Sequence, residues 1–89
     1  MEGQRLILND GTTIEDGMAG YSEGCLWLRL PGYTMQQAAL IVFDPTKTSR
    51  ITFQYGDFED VYVDFTDCVN ISVNFDGLVS ACMKKGAVS

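Results

Sequence analysis

Residues 25–45 read CLWLRLPGYTMQQAALIVFDP, and the period of the apolar residues changes partway through. From Cys25 to Leu30 the period is two. Leu26, Leu28 and Leu30 fall on one face, and Cys25, Trp27 and Arg29 on the other. Pro31-Gly32 ends this strand. Thr34, with Gln37 three residues later, makes a capping box. Met35, Ala38, Ala39, Val42 and Phe43 then recur at helical spacing. Leu40 and Ile41 widen that stripe, so the helix is expected to be buried on most sides. Asp44-Pro45 stops it, because the residue before a proline is pushed out of the α region. About nine residues cannot hold a helix alone in water, so this one must pack on a sheet.

Outward from there the chain reads as β. Gln4 to Leu8 and Thr12 to Glu15 flank Asn9-Asp10-Gly11 as an N-terminal hairpin. Its register is open, since Leu6 and Ile7 can each face Ile14. Gly17 to Tyr21 is ambiguous and reads best as extended; Ser22-Glu23-Gly24 is a turn. After the helix, Ile51, Phe53 and Tyr55 alternate with Thr52 and Gln54, and Gly56-Asp57 is a turn. In the next run Val61, Val63 and Phe65 share one face, and Asp60, Tyr62 and Asp64 the opposite one. In the last hairpin, a three-residue loop of Phe75-Asp76-Gly77 sets Val73 opposite Val79, Ile71 opposite Ala81 and Val69 opposite Met83. A two-residue loop would set valine against serine, so parity favours the longer one.

The expected fold is α+β. It is a mostly antiparallel β-sheet or partly closed barrel of about six to seven strands, with one short helix inserted after the third strand. Its 89 residues make one domain, residues 1–89, with no linker or repeat.

Composition narrows the function. There is no histidine, so serine–histidine and cysteine–histidine catalysis are out in their usual forms. Cys25, Cys68 and Cys82 form no CxxC pair and read as small core residues rather than reactive thiols or zinc ligands. No phosphate-binding glycine loop occurs. Asp57-x-Glu59-Asp60 supplies too few oxygens for calcium, and no acid closes a loop beyond it. The expectation is a protein that is not an enzyme, with no cofactor and no metal.

The formal charge is −6, and all of it lies between Ile51 and Met83. That stretch holds Asp57, Glu59, Asp60, Asp64, Asp67 and Asp76 and no Lys or Arg; the rest of the chain sums to zero. Such a balance argues against direct binding of nucleic acid or of anionic membranes. The plain reading of the acids is a solvated face that keeps the domain soluble. The sharper reading is a contact surface for a basic protein, centred on Asp57, Glu59, Asp60, Tyr62 and Asp64. Trp27 faces away from the three leucines. It is either buried under a second layer or exposed as an interface anchor. The first eight residues carry Glu2 and Arg5 and lead into no apolar run, so a cytoplasmic location is expected.

Several phrases resemble known sequences. Leu8-Asn9-Asp10-Gly11-Thr12, Tyr33-Thr34-Met35-Gln36-Gln37-Ala38, Asp44-Pro45-Thr46-Lys47-Thr48 and the ending Val79 to Gly86 resemble small, mostly uncharacterised proteins of Firmicutes phages and prophages. That resemblance implies a phage accessory protein working in the host cytoplasm. One form is an anti-CRISPR or other anti-defence inhibitor, its acidic face set against a basic nucleic-acid-binding host protein. The other is a minor virion or assembly component, a homo-oligomer.

Overall fold

The computed structural model describes residues 3–86. Ten elements follow one another. They are β1 (Gln4–Ile7), β2 (Thr13–Glu15), β3 (Met18–Ser22), β4 (Cys25–Leu30), α1 (Met35–Val42), α2 (Pro45–Thr48), β5 (Arg50–Tyr55), β6 (Phe58–Val63), β7 (Phe65–Val73) and β8 (Val79–Lys85). They make an α+β fold of two four-stranded antiparallel sheets, ordered β2-β1-β5-β6 and β3-β4-β8-β7. The strand count is therefore eight rather than six or seven. The helix follows the fourth strand, because Met18–Ser22 pairs fully with β4 as a strand of its own.

Two aspartates carry the chain between the sheets. The chain leaves the first sheet for the second at Asp16, φ 61°, and again at Asp64, φ 63°. Aspartate tolerates this left-handed conformation better than most residues. At the second corner, Asp64 N–H donates to Ser49 O at 3.3 Å, and Gly86 N–H donates to the Asp64 carbonyl. One residue thus ends the β5–β6 ladder and opens the β7–β8 ladder. Taken as single bent strands, β2–β3 and β6–β7 close the circuit β1, β5, β6–β7, β8, β4, β3–β2. The two sheets are thus joined at two creased corners.

The core lies between the sheets. Leu26, Leu28 and Leu30 of β4 are fully buried, as alternation requires, with Val79 and Met83 beside them on β8 and Leu6, Ile14 and Ile51 buried on the other sheet. Burying each such side chain contributes about 1.5–3 kcal/mol. Leu6 pairs with Ile14, which settles the first hairpin's register. The last hairpin has its three-residue loop, with Gly77 at φ 76° where a side chain would be strained. Val73 pairs with Val79 and Ile71 with Ala81. Val69 does not pair with Met83, however: a bulge between Cys68 and Asn70 gives that place to Cys68 and leaves Val69 exposed.

Helix α1 carries the capping box at Thr34, with Gln37 N–H donating to Thr34 Oγ1 at 3.1 Å and Thr34 N–H to Gln37 Oε1 at 2.9 Å. It packs against β7 and β8 through Ala38, Ile41 and Val42. The apolar stripe is narrower than its composition suggests. Leu40 is 71% exposed, and Met35 and Phe43 also face outward. Asp44 stops α1, then caps α2 by accepting from Thr46 N–H at 3.0 Å. Asn9 and Asp10 tie the first hairpin's turn to α2, through Asn9 N–H to Lys47 O at 2.9 Å and a Lys47–Asp10 ion pair at 3.9 Å.

Candidate protein-binding edge

The acids singled out in the sequence converge on the β5–β6 hairpin, and turn parity decides where each one points. Gly56 takes φ 57° in a two-residue turn, which pairs Tyr55 with Phe58. Counting back, Phe53 pairs with Asp60 and Ile51 with Tyr62. Phe53 and Ile51 face the core, so Asp60 and Tyr62 share the inward face. This reverses the expected orientation: Val61 and Val63 point outward, at 40% and 41% exposure, and Tyr62 packs on the core. Phe65 is buried nonetheless, because the left-handed Asp64 breaks the alternation just before it. Asp60, Tyr62 and Asp64 therefore do not form one outward acidic face.

The inward pair is chemically coupled. Tyr62 Oη donates to Asp60 Oδ2 at 3.2 Å. Burial, then this bond and the Asp60 charge, pushes the Tyr62 phenol above its ordinary range. Glu59 points outward and accepts from Gln54 Nε2 at 2.8 Å. Gln54 Oε1 in turn accepts from Arg5 Nε at 3.0 Å, so a polar row crosses β1, β5 and β6 on the sheet's outer face. Asp57 stands at the hairpin tip and lines a polar groove of about 430 Å³ with Gln4, Arg5, Glu15 and Gln54. With Asp57 at the tip, Glu59 outside and Asp60 inside, these carboxylates diverge. Among the described residues no three His, Cys, Asp or Glu side chains are grouped to hold a metal.

A second hollow, of about 310 Å³, adjoins the other flank of β6. It is lined by Tyr21, Val61, Tyr62, Val63, Phe65 and Lys85. Tyr21 and Tyr62 both meet Phe65 edge to face, with centroids 5.7 and 6.3 Å apart. Sequence reasoning missed Tyr21 and Phe65 here, since nothing local announces that β3 ends beside β6.

Trp27 belongs elsewhere. It lies half-buried on the outer face of the second sheet, between Gly20 and Cys82 in register. Its ring covers Gly20 so closely that a β-carbon there would fall 2.1 Å from the ring. The Arg29 guanidinium carbon stands 5.7 Å from its centroid. No second layer covers it among the described residues, and it does not join the acids. The three thiols are free and half-buried on this same sheet. Burial, with Cys25 nearby, pushes the Cys82 thiol up, and burial pushes Cys68 up against the opposing pull of the Asn70 backbone. A raised pKa leaves less thiolate, the opposite of an activated nucleophile.

No protein-family model, curated protein or solved structure matches the chain. Among the described residues no helix is long and apolar enough to cross a membrane.

Proposed function

We propose that this protein acts by binding another protein through the β5–β6 hairpin, without turnover, as a phage-type accessory factor in the host cytoplasm. The observation that carries the reading is the make-up of that hairpin. Val61 and Val63 are exposed apolar side chains beside Glu59 on the outer face of a sheet margin, and Tyr55 and Phe58 are exposed on the opposite face next to Asp57 at the tip. Apolar anchors within a charged rim are how protein interfaces are built. The acids suit a basic partner, and a nucleic-acid-binding host protein of the kind an anti-CRISPR inhibitor occupies is the partner class we favour. Of the expected contacts, Asp57 and Glu59 remain on the binding side; Asp60 and Tyr62 support it from within.

The test is affinity capture from host lysate, followed by charge reversal at Asp57 and Glu59. Loss of the captured partner, with binding that weakens as salt rises, is expected. Capture unchanged by both reversals would falsify the assignment of the surface.

A second reading is supported by α1. Its outward residues Met35, Leu40 and Phe43 are apolar, and the helix carries no charge. An uncharged apolar helix face suits subunit contacts in an assembly component. Light scattering at high concentration separates the readings: a monomer there counts against assembly.

A further inference from the structure

Four strands stand at sheet margins: β2, β6, β3 and β7. They differ in what covers them. β7 lies against α1 and α2, β2 is only three residues long, and β3, five residues long, carries no charge. β6 is six residues long, and its outer margin opens on the aromatic hollow.

The backbone directions on β6 follow from the turn. A two-residue hairpin makes Tyr55–Phe58 a pair that exchanges both hydrogen bonds, and such pairs recur at every second position. Phe53–Asp60 and Ile51–Tyr62 are the next two, and the Asp64 N–H to Ser49 O bond continues the series. Glu59, Val61 and Val63 lie between them, so their N–H and C=O groups point away from β5. Among the described residues no backbone hydrogen bond reaches these groups from the other side. A row of donors and acceptors with no partner among the described residues, beside an apolar hollow, is a template for one more strand.

Charge selects the occupant. A segment laid antiparallel on this edge meets Glu59 first, with Asp57 and Asp64 at its ends. A second copy of this chain, in a pairing centred on Val61, would set Glu59 opposite Val63 and Asp64 opposite Phe58, bringing Asp57, Glu59 and Asp64 of both copies onto one seam. Like charges on neighbouring strands are destabilising, whereas a lysine or arginine opposite an acid contributes. Lys85 reaches the hollow but leaves the sum negative.

We propose that the outer edge of β6 receives, by strand addition, an extended segment of another protein that alternates Lys or Arg with β-branched residues. The inference rests on the protein-binding reading above and specifies its geometry: main-chain bonds to Glu59, Val61 and Val63, with apolar side chains entering between Tyr21, Tyr62 and Phe65.

The probe is the acetylated, amidated peptide KVKVKVKVK, with EVEVEVEVE as its acidic counterpart, added to the intact protein. Amide exchange by NMR is the readout. Bound KVKVKVKVK should slow exchange at Glu59, Val61 and Val63 by about tenfold or more, while Asp60 and Tyr62, already bonded to β5, change little. Val61→Pro removes one outward donor and no bond to β5, so it should weaken binding by roughly tenfold while the fold persists. Glu59→Lys should shift preference toward the acidic peptide. Binding without protection at those three amides overturns strand addition but leaves the protein-binding reading to the capture experiment. Equal binding of both peptides, no binding of either, or self-association through β6 overturns the inference as well. The exchange readout on the unaltered protein decides the matter even if Val61→Pro fails to fold.

Discussion

The two C-terminal hairpins are built from similar sequence and end up in opposite situations. β5–β6 turns through two residues, keeps one register over six unbroken pairs, and leaves its second strand without an outer partner strand among the described residues. β7–β8 turns through three residues and slips register twice, and its margin strand is flanked by both helices. Its loop is stitched by Asn74, whose Oδ1 accepts from Asp76 N–H at 3.0 Å and Leu78 N–H at 2.9 Å. The difference teaches where stability and recognition separate. β8 is central in its sheet, and Val79, Ala81 and Met83 are buried on it. β6 buries no residue completely and offers its outer surface instead.

Substitutions at matched places should expose that contrast. The largest effect is expected from Met83→Ala, which empties a fully buried site of β8. Unfolding in urea should show a loss of about 2–5 kcal/mol. Next comes Gly77→Ala, which forces a β-carbon into φ 76° and should cost about 1 kcal/mol by the same measurement. Tyr62→Phe removes one partly buried hydrogen bond, worth about 1 kcal/mol, and it also changes the pH profile. The folded state holds the Tyr62 proton more tightly than the unfolded chain does. Stability from this group is whole below a pH of about 10, where unfolded phenols titrate, and drains as pH rises through the higher folded value. The variant should lose that part of the alkaline slope. The smallest effect is expected from Val61→Thr, within about 0.5 kcal/mol in stability, though partner capture should weaken. A large destabilisation by Val61→Thr would erase the distinction between the hairpins.

The same contrast shows what the sequence made legible. Strand β4, the capped helix and the last hairpin's loop were readable because each has a local cause: alternation, a side chain that caps, a glycine where φ is positive. Parity across the Phe75–Gly77 loop placed Val73 and Ile71 correctly. Parity across Gly56-Asp57 would have placed Asp60 and Tyr62 inward by the same reasoning; alternation among valines pointed the other way and misled. Val69 was unreadable, since a bulge leaves no mark on apolar periodicity. The strand order and the meeting of Tyr21 with Phe65 depend on contacts between distant segments, which no local pattern encodes. The exposure of Leu40 and Phe43 belongs with these: helical spacing tells which residues share a stripe, not which stripe the sheet accepts. Of the candidate site, the hairpin was legible and its faces were not.

The corner at Asp64 makes chain length the least negotiable property of this region. Its N–H belongs to one ladder and its carbonyl to the other. One residue inserted there would slip the pairing of β6 or β7 by one place and turn that strand's core side chains toward water. An insertion in the Phe75–Gly77 tip would lengthen only a loop. Tags, labels and circular breaks therefore belong at the β7–β8 tip, and single-residue insertions should be rejected at the crease between the sheets.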